Sequence, residues 1–214
     1  MNESPGLASE SGVMRAFVAV ELPDEIKRSL SDLQIHLRRT IHASAGAKNA
    51  DRILKWVNPQ GIHLTLKFLG NVPIQQIGDV ETALRKAVGH ERSCVLQLVG
   101  TGVFPSWTRP RVIWVGLFGQ TEEMRQLQRQ VENALHGLGF PPEARPFNPH
   151  ITLARIREEA SAGEKRSIGE AIKSAVDTEK WFGELRVEEI SLMRSELMRA
   201  GPRYSRLAVV RLAG

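Results

Sequence analysis

Apolar and polar positions along the chain follow two rhythms that predict a series of strands and helices. Successive side chains of a strand point to opposite faces, whereas the apolar face of a helix recurs every three or four residues. The first rhythm predicts strands at residues 15–21, 53–57, 62–69, 94–99, 112–117, 150–156, 182–192 and 205–212. The second predicts helices at residues 26–37, 77–88, 124–135 and 168–176.

The main elements occur in an order that is repeated. Strand, helix, strand, helix, strand is followed by the same succession, which indicates an internal duplication. The approximate repeats are residues 14–100 and 110–193, and residues 204–212 add a closing strand. The small and polar segment 43–50 is predicted to be a loop inserted in the first repeat. We expect each half to form one α+β lobe, and the two lobes to face each other across a cleft.

One short motif occurs in both halves of the chain. The sequence HLTL begins at His63 and the sequence HITL begins at His150. In an extended strand the histidine shares a face with the threonine two positions later, about 7 Å along the strand, and the two apolar residues share the other face. We therefore expect Thr65 and Thr152 to stand beside the two histidines, with apolar side chains anchoring each strand behind them.

The residue types in this motif suit acid–base chemistry at a phosphate. The imidazole group titrates near neutrality and can give or take a proton, and a threonine hydroxyl can donate to a phosphoryl oxygen. The chain has 6 histidines, and the repeat singles out two of them. Two such pairs, facing each other, could hold a phosphate between two acid–base groups.

Residues that follow the motifs extend this hypothesis. Strict alternation places Lys67 on the face of the first motif histidine, with the small Ala154 at the equivalent position of the second motif. The same alternation assigns Phe68 to the core. Arg155 has the opposite parity and reaches a bound phosphate only if its strand ends or bulges there.

Three further residues are candidates for contacts with a substrate. Arg145 precedes the second motif and could line the cleft. Trp107, in a Gly- and Pro-containing loop, and Tyr204, near the last predicted strand, are candidates for stacking on a nucleobase, although both could be structural.

The composition describes an ordinary globular chain with a basic surface. Of its 214 residues 42% are hydrophobic and 25% are charged, and no apolar run approaches the roughly 20 residues that span a bilayer. A single cysteine excludes an internal disulfide framework. The net charge of +5 suits a polyanionic partner such as RNA.

The N-terminal residues 1–13 are rich in Gly, Ser and Ala and lack the basic and apolar regions of a secretory signal. We interpret them as a disordered extension of a single bilobal domain, residues 14–214. Because neither a signal nor a membrane segment is predicted, we expect a cytoplasmic protein that makes no contact with a membrane.

The motifs and their surroundings resemble the 2H phosphoesterases, and within them the RNA 2′,3′-cyclic phosphodiesterases that are also called 2′-5′ RNA ligases. The similarity runs through nearly the whole chain from Met14. It rests on the segments MRAFVAVELP, GIHLTLKFLG, GVFP with PRVIWVG, RPFNPHITLAR and SELMRAGPRYSRL.

The resemblance implies a bilobal α+β fold of two mainly antiparallel sheets, with helices outside and a pseudo-two-fold axis through a central groove. It also implies chemistry at RNA termini that needs neither a metal nor a cofactor. By motif position, His63 would be the proton donor and His150 the proton acceptor, while Thr65 and Thr152 would hold the non-bridging phosphate oxygens. Because the motifs are nearly symmetric, the reverse assignment of acid and base stays open.

Several functions are compatible with the same residues. The first is hydrolysis of a terminal 2′,3′-cyclic phosphate to a 2′-phosphate, and the second is ATP-independent 2′-5′ ligation or cleavage of 2′-5′ oligonucleotides. A catalytically silent RNA-binding module is a third, but a binder has no need of paired acid–base groups. A metal hydrolase is disfavoured because no further histidine or acidic cluster flanks either motif. With both motifs on one chain, we expect a monomer without an obligate protein partner.

Overall fold

The computed structural model describes residues 12–44, 50–198 and 201–213. It contains nine strands and five helices in this part of the chain. The strands are β1 (Val13–Glu21), β2 (Leu54–Trp56), β3 (His63–Pro73), β4 (Cys94–Phe104), β5 (Val112–Gly119), β6 (His150–Ile156), β7 (Trp181–Val187), β8 (Glu189–Met198) and β9 (Gly201–Arg211). The helices are α1 (Asp24–Ser44), α2 (Ala50–Ile53), α3 (Ile77–Val88), α4 (Thr121–His136) and α5 (Ala162–Ala175).

The strands form two antiparallel sheets, which confirms the predicted fold class. The order is β3-β1-β8-β9 in the first sheet and β2-β6-β5-β4-β7 in the second. In the first sheet β3 carries the HLTL motif and pairs with β1, and in the second sheet β6 carries the HITL motif and pairs with β5. The two motif strands thus occupy equivalent places, and β3 also contacts β6 directly.

The two halves of the chain exchange elements, which corrects the expectation that each half forms its own lobe. Strand β4 ends the first half but pairs with β5 and β7 in the second sheet. Helix α1 packs against α5 and β7, whereas α4 packs against α3 and β3. The exchange has a simple cause: β4 and β5 are consecutive antiparallel strands with a short connection, and such strands pair as neighbours.

Helix α1 shows how the sequence directs this packing. It starts after Pro23 with Asp24 and Glu25 in its first turn, where negative charge favours the positive end of the helix dipole. A polar residue of its buried face, Gln34, donates hydrogen bonds to the carbonyls of Val57 and Leu153, both at 2.9 Å. The helix is thereby tied to the strand of the second motif. Its other buried residues are Ile26, Leu30, Leu33, Leu37 and Ile41.

Strand β3 contains a bulge within the first motif. On the neighbouring strand β1, Ala19 pairs with Thr65 but Val18 pairs with Lys67, so that Leu66 is the additional residue. A bulge of this kind reverses the alternation of the residues that follow it, up to the next bulge. Lys67 is therefore turned to the buried side, and Phe68 to the open side, of the sheet.

Strand β6 contains the equivalent bulge. On β5, Trp114 pairs with Thr152 but Ile113 pairs with Ala154, so that Leu153 is the additional residue. As a result Ala154 is fully buried and Arg155 is exposed on the side of the motif.

Several predicted boundaries require correction. Strand β1 begins at Val13, one residue before the expected start of the fold. Helix α1 continues to Ser44, so residues 45–49 are what remains of the predicted loop between α1 and α2. Residues 45–49 lie outside the described residues. Residues 1–11 of the predicted N-terminal extension also lie outside the described residues. Strand β3 continues through Gly70 to Pro73, because Gly70 adopts a positive φ of 70° at a second bulge.

The predicted strand at residues 182–192 is in fact two strands that belong to different sheets, β7 and β8. The last two strands, β8 and β9, form a hairpin in which Met198 pairs with Gly201. The turn expected at residues 200–202 therefore falls partly on residue 200, which is outside the described residues. None of the helices in the described ranges is long and apolar enough to cross a membrane.

Candidate active site

A groove between the two sheets has two compartments. The His63 compartment, of about 380 Å³, is lined by residues that include His63 and Tyr204. The His150 compartment, of about 620 Å³, is lined by residues that include His150 and Phe104. Four residues line both compartments and lie where they join: Thr65, Phe68, Thr152 and Arg155. The two motifs therefore form one continuous site, with a histidine on either side of the threonines.

His63 is held at the start of β3 by its backbone and by aromatic rings. Its Nδ1 lies 2.7 Å from the carbonyl oxygen of Gly61. Since a carbonyl only accepts, Nδ1 carries the hydrogen and Nε2 is the ring nitrogen left for chemistry. The imidazole stacks on Phe17, with ring centroids 4.7 Å apart, and meets Tyr204 edge to face at 5.2 Å.

His150 is held in the same way at the start of β6. Its Nδ1 lies 2.7 Å from the carbonyl oxygen of Asn148, again two residues upstream, so its Nε2 is also free for chemistry. Among the residues that the structure describes, one ring, that of Phe104, packs against it, edge to face at 5.1 Å. The two histidines thus share their orientation but not their aromatic surroundings.

The surroundings favour the neutral form of both histidines. Burial lowers the pKa of His63, the Gly61 carbonyl and the charge of Glu21 act to raise it, and Arg155 lowers it. Burial also lowers the pKa of His150, the Asn148 carbonyl opposes this, and Arg155 again lowers the pKa. A neutral imidazole can accept a proton, so the site is suited to hold at least one general base near neutral pH.

The threonines and Arg155 supply donors at the junction of the compartments. Thr65 and Thr152 are half-buried, and Arg155 is exposed beside them because of the bulge in β6. Arg155 lines both compartments, and its charge lowers the pKa of both histidines. A guanidinium and two hydroxyl groups around one point are the kind of donor set that binds a phosphoryl group.

The bulge in β3 overturns two predictions made from strict alternation. Phe68, assigned to the core, is 56% exposed and lines both compartments. Lys67, expected to project into the groove, is 2% exposed; it borders the His150 compartment, but its Nζ donates to Glu132 Oε1 at 2.6 Å and to the Pro141 carbonyl at 2.7 Å. The positive charge that alternation predicted at this end of the groove is therefore neutralised by a carboxylate.

The pair of Lys67 and Glu132 joins the first motif to the segment that leads to the second. Glu132 lies on α4, and its Oε1 also accepts a hydrogen bond from the backbone of Glu143 at 2.8 Å. Gln128, one turn earlier, donates to Oε2 of the same carboxylate at 3.2 Å. The ion pair is thus the centre of a partly buried network that secures the bulged part of β3.

Replacement of Lys67 by methionine is expected to lower the free energy of unfolding by about 3 kcal/mol, because the partly buried carboxylate of Glu132 would lose its charged partner. Denaturation with urea would measure the change. The matched control is Lys86→Met on the exposed face of α3, which is expected to change stability by less than about 0.5 kcal/mol. Equal midpoints for the two variants would mean that the ion pair does not secure the strand.

The remaining candidates from the sequence are divided between the groove and the core. Tyr204 lines the His63 compartment and Arg145 lines the His150 compartment. Trp107 lines neither; its side chain packs against the hydrophobic core, and its carbonyl lies where a Cβ at position 169 would stand, which explains the glycine there. The structure therefore does not bring Trp107 into the groove, which agrees with the structural role that the sequence left open.

Other groove residues were not found from the sequence. Phe17, on β1, stacks on His63, and Phe104, at the end of β4, packs on His150. Arg15 and Lys55 add positive charge to the His63 compartment. Arg15, Phe17 and Ala19 are alternate residues of β1, and Ala19 faces Thr65. Knowledge that β1 pairs with the first motif would therefore have predicted Arg15 and Phe17 on the groove side of the sheet.

Comparison with known proteins identifies the class to which this site belongs. The LigT-like phosphoesterase family matches residues 20–114 and 118–204, and the chain belongs to this family. The expected resemblance to 2H phosphoesterases is thereby confirmed. Among the described residues, no three His, Cys, Asp or Glu side chains come together where they could hold a metal ion.

Relatives of known name extend over most of the chain. The RNA 2′,3′-cyclic phosphodiesterase of Methanothermobacter thermautotrophicus is 33% identical over 199 residues, which are 93% of this chain and 99% of the relative. That of Aeropyrum pernix is 36% identical over 160 residues, 75% of this chain and 87% of the relative.

Solved structures agree with this placement. The crystal structure of TT0787 from Thermus thermophilus has a TM-score of 0.69 and 30% identity, and the match covers 93% of this chain and 98% of the other. The structure of E. coli LigT with 3′-AMP has the same TM-score of 0.69 at 24% identity, over 94% of this chain and 99% of the other, and shows the shared fold.

Proposed function

We propose that the protein is an RNA 2′,3′-cyclic phosphodiesterase, which opens a terminal 2′,3′-cyclic phosphate and leaves a 2′-phosphate. The observation that carries the proposal is the pair of histidines with matched geometry. Each has Nδ1 tied to a carbonyl two residues upstream and Nε2 left for chemistry, on either side of two threonines. The names of the relatives over nearly the full chain support the same activity.

The mechanism follows from one neutral and one protonated imidazole. Neutral His150 takes a proton from water through Nε2 as the water oxygen attacks phosphorus. Protonated His63 gives its Nε2 proton to the ribose 3′ oxygen as the bond from phosphorus to that oxygen breaks. The phosphate stays on the 2′ oxygen, and each proton transfer contributes about 10²–10⁴-fold to the rate.

Charge stabilisation comes from the groups at the junction of the compartments. Thr65, Thr152 and Arg155 donate to the non-bridging oxygens, where negative charge is concentrated in phosphoryl transfer. Arg15 and Lys55 in the His63 compartment, and Arg145 in the His150 compartment, would contact the RNA backbone. Tyr204 offers a ring to the terminal base.

The direct test is to incubate the protein with an oligoribonucleotide that ends in a 2′,3′-cyclic phosphate, with EDTA present, and to identify the product. A 2′-phosphate is expected. Turnover lost to EDTA and restored by a metal would overturn the metal-free mechanism. Tight binding without turnover would instead favour a silent RNA-binding module.

Replacement of Arg155 by methionine is expected to lower kcat/KM by about 10²-fold, because a charged donor to the phosphate is lost. Loss of this charge also raises the pKa of both histidines, so both limbs of the pH profile should move to higher pH. Arg155→Lys should recover part of the rate, since it keeps the charge but not the fork of donors.

Arg157→Met is the matched control for this prediction. Arg157 is exposed just beyond β6 and borders a different pocket, so its replacement removes the same charge without touching the groove. If the Arg157 variant lost as much activity as the Arg155 variant, net charge rather than contact with the phosphate would explain the effect.

A second candidate is ATP-independent 2′-5′ ligation, or the cleavage of 2′-5′ linkages. The observation in its favour is the size of the His150 compartment, because about 620 Å³ admits a nucleoside and not only a water molecule. A 5′-hydroxyl held there would take the place of the water beside His150. The test is to mix the cyclic-phosphate RNA with a 5′-hydroxyl RNA, without ATP, and to look for a 2′-5′ linked product.

We also propose that the enzyme acts in the cytoplasm as a monomer and needs no protein partner. Support for the monomer comes from a groove whose two histidines are supplied by one chain. A sedimentation measurement at the concentration of the activity assay should give a single species of the mass of one chain.

A further inference from the structure

The two motif histidines have different partners on the neighbouring strands. Thr65 faces Ala19 and Thr152 faces Trp114, so the two pairings are in equivalent register. Two positions before each threonine stands the motif histidine. His63 faces the carboxylate residue Glu21, whereas His150 faces Gly116. Residues directly opposite each other in an antiparallel pair project to the same face with Cβ atoms about 5 Å apart, so a charge at position 21 stands beside the imidazole.

Glu21 is fixed in place by two donors from the same sheet. Ser191, on β8, donates from Oγ to Glu21 Oε1 at 2.6 Å, and Arg206, on β9, donates from Nε to the same oxygen at 2.7 Å. Ser191 is buried, so this hydroxyl is committed to the carboxylate. Burial acts to raise the pKa of Glu21, but the hydrogen bonds from Arg206 and Ser191 hold it below its usual range. Glu21 is therefore ionised throughout the neutral range.

Charges around His63 oppose each other. Glu21 favours the imidazolium, and Arg155, from the other sheet, disfavours it. At His150 the same Arg155 acts, without a facing carboxylate. Burial disfavours the charged form of both imidazoles. The anion Glu21 lies near His63 and not near His150, so it is the feature that favours protonation of His63 over protonation of His150. The ionisable groups around His63 are Glu21 and Arg15 on β1, Lys55 on β2, Arg155 on β6, and Tyr204 and Arg206 on β9.

We propose that Glu21 is a positioning residue that favours the protonated form of His63 over that of His150, and that it thereby selects His63 as the general acid and leaves His150 as the general base. Ser191 and Arg206 act through Glu21 by fixing its carboxylate. The role in catalysis rests on the proposed phosphodiesterase activity. The effect of Glu21 on the protonation of His63 does not, because it is a property of the protein without substrate.

The test is the substitution Glu21→Gln, which keeps the shape and removes the charge. NMR titration of the histidine side chains without substrate should show the midpoint of His63 lowered by about one pH unit, while that of His150 stays within about 0.2 of a pH unit. In the pH profile of kcat/KM, the limb that coincides with the His63 midpoint should move with it. Above that midpoint, activity should fall about tenfold for each pH unit by which the midpoint is lowered.

Two further variants make the result specific. Glu196→Gln removes a carboxylate from the same sheet, where it pairs with Arg194 and Arg203, and should leave both histidine midpoints in place. Glu21→Asp keeps the charge but draws it back by one methylene, so it should lower the His63 midpoint by less than Glu21→Gln does. This variant also carries the test if Glu21→Gln does not fold.

The outcomes separate the two proposals. An unchanged His63 midpoint in folded Glu21→Gln, or an equal shift at His150, would overturn the role of Glu21. A lowered His63 midpoint in a protein that turns over no cyclic phosphate would support the electrostatic role and overturn the proposed function.

Discussion

The substitution His150→Ala is expected to lower kcat on an RNA 2′,3′-cyclic phosphate by about 10²–10⁴-fold, because it removes the imidazole that takes the proton from water. Single-turnover measurement with saturating enzyme would separate this loss from weaker binding. KM should change little, since the imidazole acts on water and Thr152 and Arg155 still hold the phosphate.

The controls for this prediction come from the same motif and from the surface. Thr152→Val removes one donor to the phosphate and should cost less than the loss of the base. His136→Ala replaces an exposed histidine at the end of α4 and should leave kcat unchanged. A His150→Ala enzyme with a nearly normal rate would contradict the role of His150 as general base.

The substitution His63→Ala is expected to lower kcat on the RNA 2′,3′-cyclic phosphate by a similar factor, but for a different reason. Without the acid, the ribose 3′ oxygen must leave as an alkoxide. A 2′-phosphodiester of p-nitrophenol removes this requirement, because p-nitrophenolate is a stable leaving group at neutral pH. We expect His63→Ala to lose much less on this ester than on the cyclic phosphate, where the loss should be about 10²–10⁴-fold.

The same ester also discriminates between the two histidines. His150→Ala should be impaired on both substrates, because water must be activated in either case. If instead His150→Ala were the variant relieved by the better leaving group, the assignment of acid and base would be reversed. An equal loss for His63→Ala on both substrates would show that His63 does not protonate the leaving oxygen.

Much of the site could be predicted because alternation holds from each histidine to its threonine. The face shared by His63 and Thr65 lies before the bulge, so a two-residue period places both side chains correctly in the groove. Each imidazole donates from Nδ1 to the carbonyl two residues upstream, because each histidine is the first residue of its strand. Repeated sequence here means repeated local structure.

Beyond the threonines the same rule fails, for a physical reason. A bulge is one additional residue on one strand, and it depends on the register with a partner that is distant in the sequence. The sequence around Lys67 and Phe68 gives no sign of the bulge. Strict alternation therefore predicts Lys67 in the groove and Phe68 in the core, and the structure shows the opposite. For Arg155 the possibility of a bulge could be stated but not decided. For Trp107 both a stacking and a structural role were open, because loop composition does not tell which way a ring packs.

The division into lobes could not be predicted from the order of elements. A repeated order is compatible with two separate halves and with halves that exchange parts. The pairing of β4 with β5 and β7, and the packing of α1 and α4 on the sheets of the opposite halves, distinguish the two arrangements. These contacts are long-range, and local hydrophobic patterns carry no information about them.

The exchange of β4, α1 and α4 between the halves has a consequence for the history of the groove. A half-length ancestor with the same elements would have lacked a partner for its last strand and a cover for its sheet. Two copies could have satisfied both needs by trading these parts, and one histidine from each would then have met in a shared groove. A single chain is free of the symmetry of such a dimer, and Glu21 opposite His63, where Gly116 stands opposite His150, is the kind of difference that a symmetric dimer cannot have.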